Sequence, residues 1–250
     1  MKEITLKENE KIEDLQCNGL KLIQNKKWFC FGMDAVLLTN YCDVKNNSKV
    51  VDLGTGTGII PILLSGKRNI ASAVGIEIQE EVAEMASRSV ELNELQEKIK
   101  ILNIDLKDAT KYLEPNSFDA VISNPPYKLN NSGIINPSDQ KAISRHEIKC
   151  TLEDVISTAA TLLKQYGRFY MVHRPDRLVD IICLLRKYKL EPKQIRFVHP
   201  KAGEKPNMVL IRASKNANPE LKFDRPLYIY NDESKYTDDV YEIYEMSKKK

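Results

Sequence analysis

The sequence predicts an α/β fold: a seven-stranded, mostly parallel sheet with helices on both faces and one antiparallel strand near the C-terminus. Three observations carry this. Short apolar runs bounded by turn residues alternate with helical stretches. A glycine-rich turn follows the run at 49–53 and opens a helix. The last two apolar runs are joined by a Pro/Gly-containing loop, 200–207, with no helix between them. Alternation implies parallel strands joined by crossover helices, and the closing hairpin reverses one strand.

Candidate strands lie at 49–53, 73–78, 99–105, 120–123, 169–173, 194–199 and 208–213. Candidate helices lie at 58–64, 80–93, 152–165 and 175–188. In the second of these, Val82, Ala86 and Val90 recur at a spacing of four, which makes one apolar stripe. The polar stretch 128–148 reads as a long loop of the kind that carries function.

The chain of 250 residues is 42% hydrophobic and 29% charged, enough for one large domain with a sizeable core. Residues 1–48 read as an N-terminal extension packing on a catalytic domain at 49–250, which ends in a short tail with Lys248, Lys249 and Lys250. No apolar run reaches the ~18 residues of a membrane span. The charged N-terminus lacks a secretory apolar core. The five cysteines (Cys17, Cys30, Cys42, Cys150, Cys183) form no C-x-x-C pair, so neither a zinc site nor a disulfide framework is expected. The expectation is a cytoplasmic chain without membrane or metal partner, monomeric or a weak dimer.

The net charge of +3 is unevenly spread. Residues 1–127 hold 15 Lys/Arg and 19 Asp/Glu, residues 128–222 hold 18 and 9, and residues 223–250 hold 5 and 7. A basic middle segment suits a phosphate backbone, and equally a solvated lysine-rich surface.

The segment Val50-Val51-Asp52-Leu53-Gly54-Thr55-Gly56-Thr57-Gly58 runs an apolar strand into a glycine turn. Such a turn, at the C-terminal edge of a parallel sheet, lets a nucleotide-like ligand lie against the backbone. The dinucleotide pattern G-x-G-x-x-G fails, because Ile59 stands at its last position. The Gly-Lys-Ser/Thr end of a phosphate loop is absent. Asp52 repels a pyrophosphate but suits a cationic ligand. S-adenosylmethionine carries sulfonium and ammonium charges and no phosphate. Glu77 ends the next strand, where an acid accepts both ribose hydroxyls. Asp105 ends the third, where it is either an acceptor for the cofactor's adenine amino group or a helix N-cap.

After the fourth strand comes Asn124-Pro125-Pro126-Tyr127. Two prolines fix the backbone and remove two donors, which leaves the carbonyls of Asn124 and Pro125 uncommitted. With the Asn124 side chain they form an acceptor cluster for an exocyclic –NH2. Two hydrogen bonds that draw the nitrogen toward tetrahedral geometry free its lone pair for in-line attack on a methyl group, and the carbonyl dipoles stabilise the charge that develops. Tyr127 offers a stacking face worth roughly 1–3 kcal/mol per base.

The combination of D-x-G-x-G-x-G, a second-strand acid and N-P-P-Y resembles the Rossmann-like class I amino-methyltransferases. Three further segments narrow the resemblance: Trp28-Phe29-Cys30-Phe31-Gly32-Met33-Asp34-Ala35-Val36-Leu37-Leu38, Arg145-His146-Glu147, and His173-Arg174-Pro175. With them nearly the whole chain is similar to the bacterial family that methylates N6 of the adenine 3′ of the anticodon in tRNA-1(Val). The resemblance implies that Asp52, Gly54, Thr55, Gly56, Gly58, Glu77, Ile78, Asp105, Leu106 and Asn124 hold S-adenosylmethionine, with Gly32 and Asp34 near its methionine end. Asn124, Pro125, Pro126 and Tyr127 would hold the target base, and Tyr127, Lys128, Arg145 and His146 the RNA. His146 also reads as a surface histidine, and His173 as a structural residue at a strand end. The loop Lys201-Ala202-Gly203-Glu204-Lys205-Pro206 is less basic than the resemblance leads one to expect.

Competing readings are a protein glutamine-N5 methyltransferase, which uses the same tetrapeptide on an amide –NH2, a guanine-N2 enzyme for ribosomal RNA, a DNA adenine-N6 enzyme, and an inactive RNA-binding module. The roughly fifty residues ahead of the glycine loop show no helical bundle, and there is no length for a separate DNA-recognition domain. An intact glycine loop and tetrapeptide oppose the inactive module.

Overall fold

The structure is a computed structural model that describes residues 4–27, 32–125 and 150–245. Its strands are β1 (Glu10–Asp14), β2 (Lys21–Asn25), β3 (Lys49–Leu53), β4 (Ser72–Glu77), β5 (Ile99–Asn103), β6 (Phe118–Ser123), β7 (Leu163–His173), β8 (Leu190–His199), β9 (Met208–Lys215), β10 (Lys222–Phe223) and β11 (Leu227–Tyr228). Its helices are α1 (Met33–Tyr41), α2 (Ile59–Lys67), α3 (Glu80–Leu92), α4 (Leu152–Leu162), α5 (Leu178–Lys187) and α6 (Asp238–Ile243).

The main sheet runs β5-β4-β3-β6-β7-β9-β8, with the two-residue β10 and β11 both on the outer edge of β8. Strands β3 to β7 are parallel, and β9 is antiparallel to both β7 and β8. The seven-stranded expectation therefore holds, and β10 and β11 lengthen one edge. Chain order reverses at β3, which lies between β4 and β6. At such a switch point the crossovers leave to opposite faces, and a crevice opens beyond the strand ends. The glycine turn follows β3 into that crevice.

In β3 every residue after Lys49 is buried, as a central parallel strand requires. Val50 faces the core formed with α1 and α2. Val51 and Leu53 face the core formed with α4 and α5. A Thr151–Asp154 capping box starts α4, with the Thr151 hydroxyl accepting from the Asp154 amide at 3.1 Å.

Two expected helices are shorter than their apolar pattern. The helix expected over 152–165 stops at Leu162, because Leu163 already pairs with Phe118 in the sheet. Tyr166, with φ +60°, then sits in the register shift by which β7 is offset along β6. The segment from 175 starts as a 3-10 turn, Pro175–Arg177, and α5 begins at Leu178.

The β1–β2 hairpin and α1 were not among the candidates. Lys, Glu and Asp fill most of β1, so no apolar alternation marks it. Helix α1 buries Ala35, Val36, Leu37, Leu38 and Thr39 in succession, so it has no one-sided stripe. The hairpin lies on α3. The Ile23 amide donates to Ser89 Oγ at 3.0 Å, and Asn93 exchanges two bonds with the Lys21 backbone. Arg88 forks between Glu10 and Glu84 and holds both carboxyls below their usual range. Among the described residues no helix is long and apolar enough to cross a membrane.

Candidate active site

The ends of β3, β4, β5 and β6 frame one cleft. It is lined by Leu53, Gly54, Ile76, Glu77, Ile78, Ile104, Asp105, Leu106, Ser123, Pro125, Cys150 and Val155. Five of the expected cofactor residues (Gly54, Glu77, Ile78, Asp105 and Leu106) thus meet Pro125 of the tetrapeptide.

The glycine turn is held from beneath. The amides of Gly54 and Thr55 both donate to the Ile76 carbonyl at 2.9 Å. Gly54, Gly56 and Gly58 all take positive φ (+74°, +55° and +82°), a region where a Cβ is strained. Gly58 caps α2, and a Cβ there would touch Ala86 of α3 at 3.4 Å, an ordinary contact, so its constraint is the positive φ. From the tip of β4, Glu77 Oε2 accepts from the Gly56 amide at 3.0 Å and Oε1 accepts from the Gln79 amide at 2.9 Å. The acid expected to face a ribose therefore also braces the glycine turn.

Asp52 is 1% exposed, and neither of its carboxylate oxygens has a hydrogen-bond partner. Burial pushes its pKa up to about 7, and the charge of Glu77 adds to the rise. The nearby Thr55 hydroxyl opposes the rise but makes no aligned hydrogen bond, and Thr55 Oγ1 is itself buried and unpartnered. A buried carboxyl without a donor is costly, and a ligand that brings a cation or an ordered water to it offsets that cost. The orphaned Asp52 and Thr55 atoms, the open glycine backbone and the apolar wall of Ile78, Ile104, Leu106 and Val155 fit S-adenosylmethionine.

Asp105 is the N-cap of the 3-10 turn Leu106–Lys111. Its side chain accepts from the Lys107 amide at 3.0 Å and lies 3.3 Å from Lys107 Nζ. The capping role is thus realised on a residue that also lines the cleft. Gly32 caps α1, and a Cβ there would meet Asp34 Oδ1 at 2.6 Å. Asp34 Oδ1 accepts from the Ala35 amide at 3.0 Å. Neither Gly32 nor Asp34 lines the cleft.

Asn124 is half-buried directly after β6, and Pro125 is buried. Ser123 Oγ donates to the Leu53 carbonyl at 2.9 Å, which ties the tetrapeptide's root to the strand that carries the glycine turn. Pro126, Tyr127, Lys128, Arg145 and His146 lie outside the described residues, as do Trp28 to Phe31. His173 ends β7 with a buried ring whose Nδ1 accepts from the Arg174 amide at 2.8 Å. Burial, and then Arg177, lowers its pKa to about 4, so it is a neutral structural residue.

Gly75, which packs against Thr55 of the glycine turn, is a position that sequence reasoning passed over. It pairs with Asp52 across β3 and β4, and a Cβ there would meet Thr55 Cγ2 at 2.8 Å and Ile101 Cδ1 at 2.9 Å. A lone glycine inside a strand signals such a close approach. Gly75→Ala is expected to push Thr55 out of the turn and weaken S-adenosylmethionine binding by about tenfold, with a loss of stability of about 1–3 kcal/mol. Isothermal titration and thermal melts read both. Unchanged affinity would show that Thr55 is free to move.

The methyltransferase small domain matches residues 32–182, more than half of the chain. Among curated relatives, a tRNA1(Val) (adenine(37)-N6)-methyltransferase from Bacteroides thetaiotaomicron is 30% identical over 187 residues, covering 74% of this chain and 76% of the relative. Another of the same name from Phocaeicola vulgatus is 27% identical over 206 residues, covering 81% and 86%. Among solved structures, a predicted O-methyltransferase from Agrobacterium tumefaciens superposes with a TM-score of 0.70 at 25% identity, covering 85% of this chain and 96% of that one.

Proposed function

The chain belongs to the methyltransferase small domain family, and from that premise we propose that it transfers a methyl group from S-adenosylmethionine to N6 of an adenine in tRNA, the adenine 3′ of the anticodon of tRNA-Val. One observation carries the reading: Ser123 and Pro125, on either side of Asn124 at the exit of β6, line the same cleft as Gly54 and Glu77. The relatives named for tRNA adenine-N6 methylation support RNA as the substrate over a protein amide.

In this reading Asp52 and the glycine turn hold the amino-acid end of the cofactor, and Glu77 holds the ribose. The slot beside Asp105 and Leu106 holds the cofactor's adenine. When bound, S-adenosylmethionine supplies an electrophilic methyl on a good leaving group. The Asn124 side chain and the carbonyls of Asn124 and Pro125 accept the two hydrogens of the target amino group. They draw its lone pair toward the methyl carbon. Methyl transfer would exchange the cofactor's C–S bond for a new N–C bond, and the nitrogen held by these acceptors would release one proton to solvent. Tyr127 stacks on the base after it leaves its helix or loop. Ahead of β3, β2 packs on α3 and α1 packs on α2.

The test is transfer of radiolabelled methyl from S-adenosylmethionine to bulk unmodified tRNA, followed by nucleoside analysis. Label in N6-methyladenosine supports the reading, and label confined to protein, ribosomal RNA or DNA overturns the choice of substrate. Binding to tRNA is also expected to weaken steeply between 50 and 200 mM salt, by about 100-fold or more, since several neutralised phosphates release counterions. A Kd independent of salt would remove the role given to the basic segment 128–222.

A further inference from the structure

Four strand spacings from Asn124, on the same edge of the sheet, the C-terminal segment builds an aromatic platform. Strand β8 runs parallel to β6, and β11 runs parallel to β8 with Tyr228 beside His199. The ends of β6, β8 and β11 therefore share the edge that carries the cleft, with β11 ~19 Å from β6 at the usual strand spacing.

Beyond β11 the Tyr230 amide donates to the Pro200 carbonyl at 2.8 Å, and Tyr230 bridges Tyr236 in an antiparallel pair. The rings of Tyr230 and Tyr236 stack with centroids 5.4 Å apart and planes 17° apart. Tyr236 stacks in turn on Tyr244 at 6.3 Å and 7°. The result is a ladder of three rings. Its inner end lies by the start of α1, where burial, then Tyr236 and Asp34, push the Tyr244 hydroxyl up to about 12. Its outer end, Tyr230, is exposed, as is Tyr228, which tilts against His199 at 5.4 Å. Two of the nearby acids are matched by cations. Asp239 pairs with Arg196 and Arg225, and Glu233 pairs with Lys235. Lys201 donates to Ser234 Oγ at 2.8 Å and has no carboxylate within ion-pair distance among the described residues.

We propose that this platform is a second contact for the RNA: Tyr230 stacks on an unpaired nucleobase flanking the target, and Lys201 meets the adjoining phosphate. A stack of rings that ends in an exposed face is prepared to accept one more ring, because its own side chains are already ordered. A cation without a carboxylate partner near that face supplies the complementary charge for a backbone phosphate. The inference rests on the tRNA reading above and adds a place on the protein to it.

The experiment measures Kd for bulk unmodified tRNA, KM and kcat for methyl transfer, and Kd for S-adenosylmethionine. It uses the full chain and its Tyr230→Leu, Lys201→Gln and Tyr166→Leu variants. Tyr166 is an exposed tyrosine at the opposite edge of the sheet and serves as the control. Tyr230→Leu is expected to raise Kd and KM for tRNA about tenfold while kcat and the affinity for S-adenosylmethionine stay unchanged. Lys201→Gln is expected to lower the slope of log Kd against log salt by about one and does not depend on the ladder staying folded. Tyr166→Leu should change nothing. If Tyr230→Leu and Lys201→Gln both bind tRNA within twofold of the parent with an unchanged salt slope, the platform is not an RNA contact, although the methylation reading stands. A parent chain that neither binds nor methylates tRNA overturns both.

Discussion

Replacing Asp52 by asparagine is expected to weaken S-adenosylmethionine binding while making the free chain more stable at pH 8. The carboxyl is buried, both its oxygens lack partners, and its pKa is raised from 3.8 to about 7. An acid whose pKa is higher in the folded state than in the unfolded state holds protons that the unfolded chain has already released. Stability therefore falls as pH rises from about 4 to about 7, and above pH 7 the full cost is present. The shift of roughly three units corresponds to at most ~4 kcal/mol. The asparagine amide is left without partners as well, so about half of that is recovered, which is about 4–8 °C in Tm for a chain of this size. The gain should shrink as pH is lowered toward 4. Affinity moves the other way. A charge-assisted hydrogen bond to the ligand's ammonium contributes about 1.5–3 kcal/mol, so Asp52→Asn should raise the Kd about 10- to 100-fold. In the parent chain that Kd should tighten about tenfold between pH 5.5 and 7 as Asp52 ionises, and the variant should lose this dependence. Calorimetry across that pH range reads both effects. A variant that binds S-adenosylmethionine as well as the parent would remove Asp52 from the cofactor site.

Asn124→Ala is expected to lower kcat for methyl transfer by at least 100- to 1,000-fold while tRNA affinity stays within a few-fold. The side chain contributes one acceptor to a preorganised set, and removal of one such dipole from a water-poor site typically costs about 3–4 kcal/mol in the transition state. Its contribution to ground-state binding is small, because most of the affinity for RNA comes from phosphate contacts. Asn124→Asp keeps the acceptor but adds a charge, and it should retain more activity than alanine. Single-turnover methylation with saturating tRNA separates the chemical step from binding. Full activity in Asn124→Ala would end the assignment of the tetrapeptide as the amino-group acceptor.

The sequence by itself determined the local chemistry. The strand-then-glycine run around Asp52 specifies a turn that only glycines make freely, and the structure places positive φ at Gly54, Gly56 and Gly58. Alternation of apolar runs and helices led to the parallel sheet, and the loop at 200–207 led to the antiparallel β9. These features are legible because turn geometry and side-chain periodicity depend on neighbours within a few residues. What only the tertiary structure decided depends on residues far apart in the chain. The pairing of β3 with β4 puts Gly75 against Thr55, where a side chain would crowd the glycine turn. Burial beneath the glycine turn, with no donor supplied, turns Asp52 from a generic acid into a group poised near neutral pH. The reach of Glu77 to the Gly56 amide follows from the distance between two strand ends, as does the tie from Ser123 to Leu53. Helix α1 was hidden because it is buried by packing on several sides, and β1 because Lys, Glu and Asp fill most of it, which leaves no stripe or alternation to read. The tyrosine ladder joins Tyr230, Tyr236 and Tyr244 through a β-bridge and a short helix, and only folding makes their separate positions in the sequence into one surface.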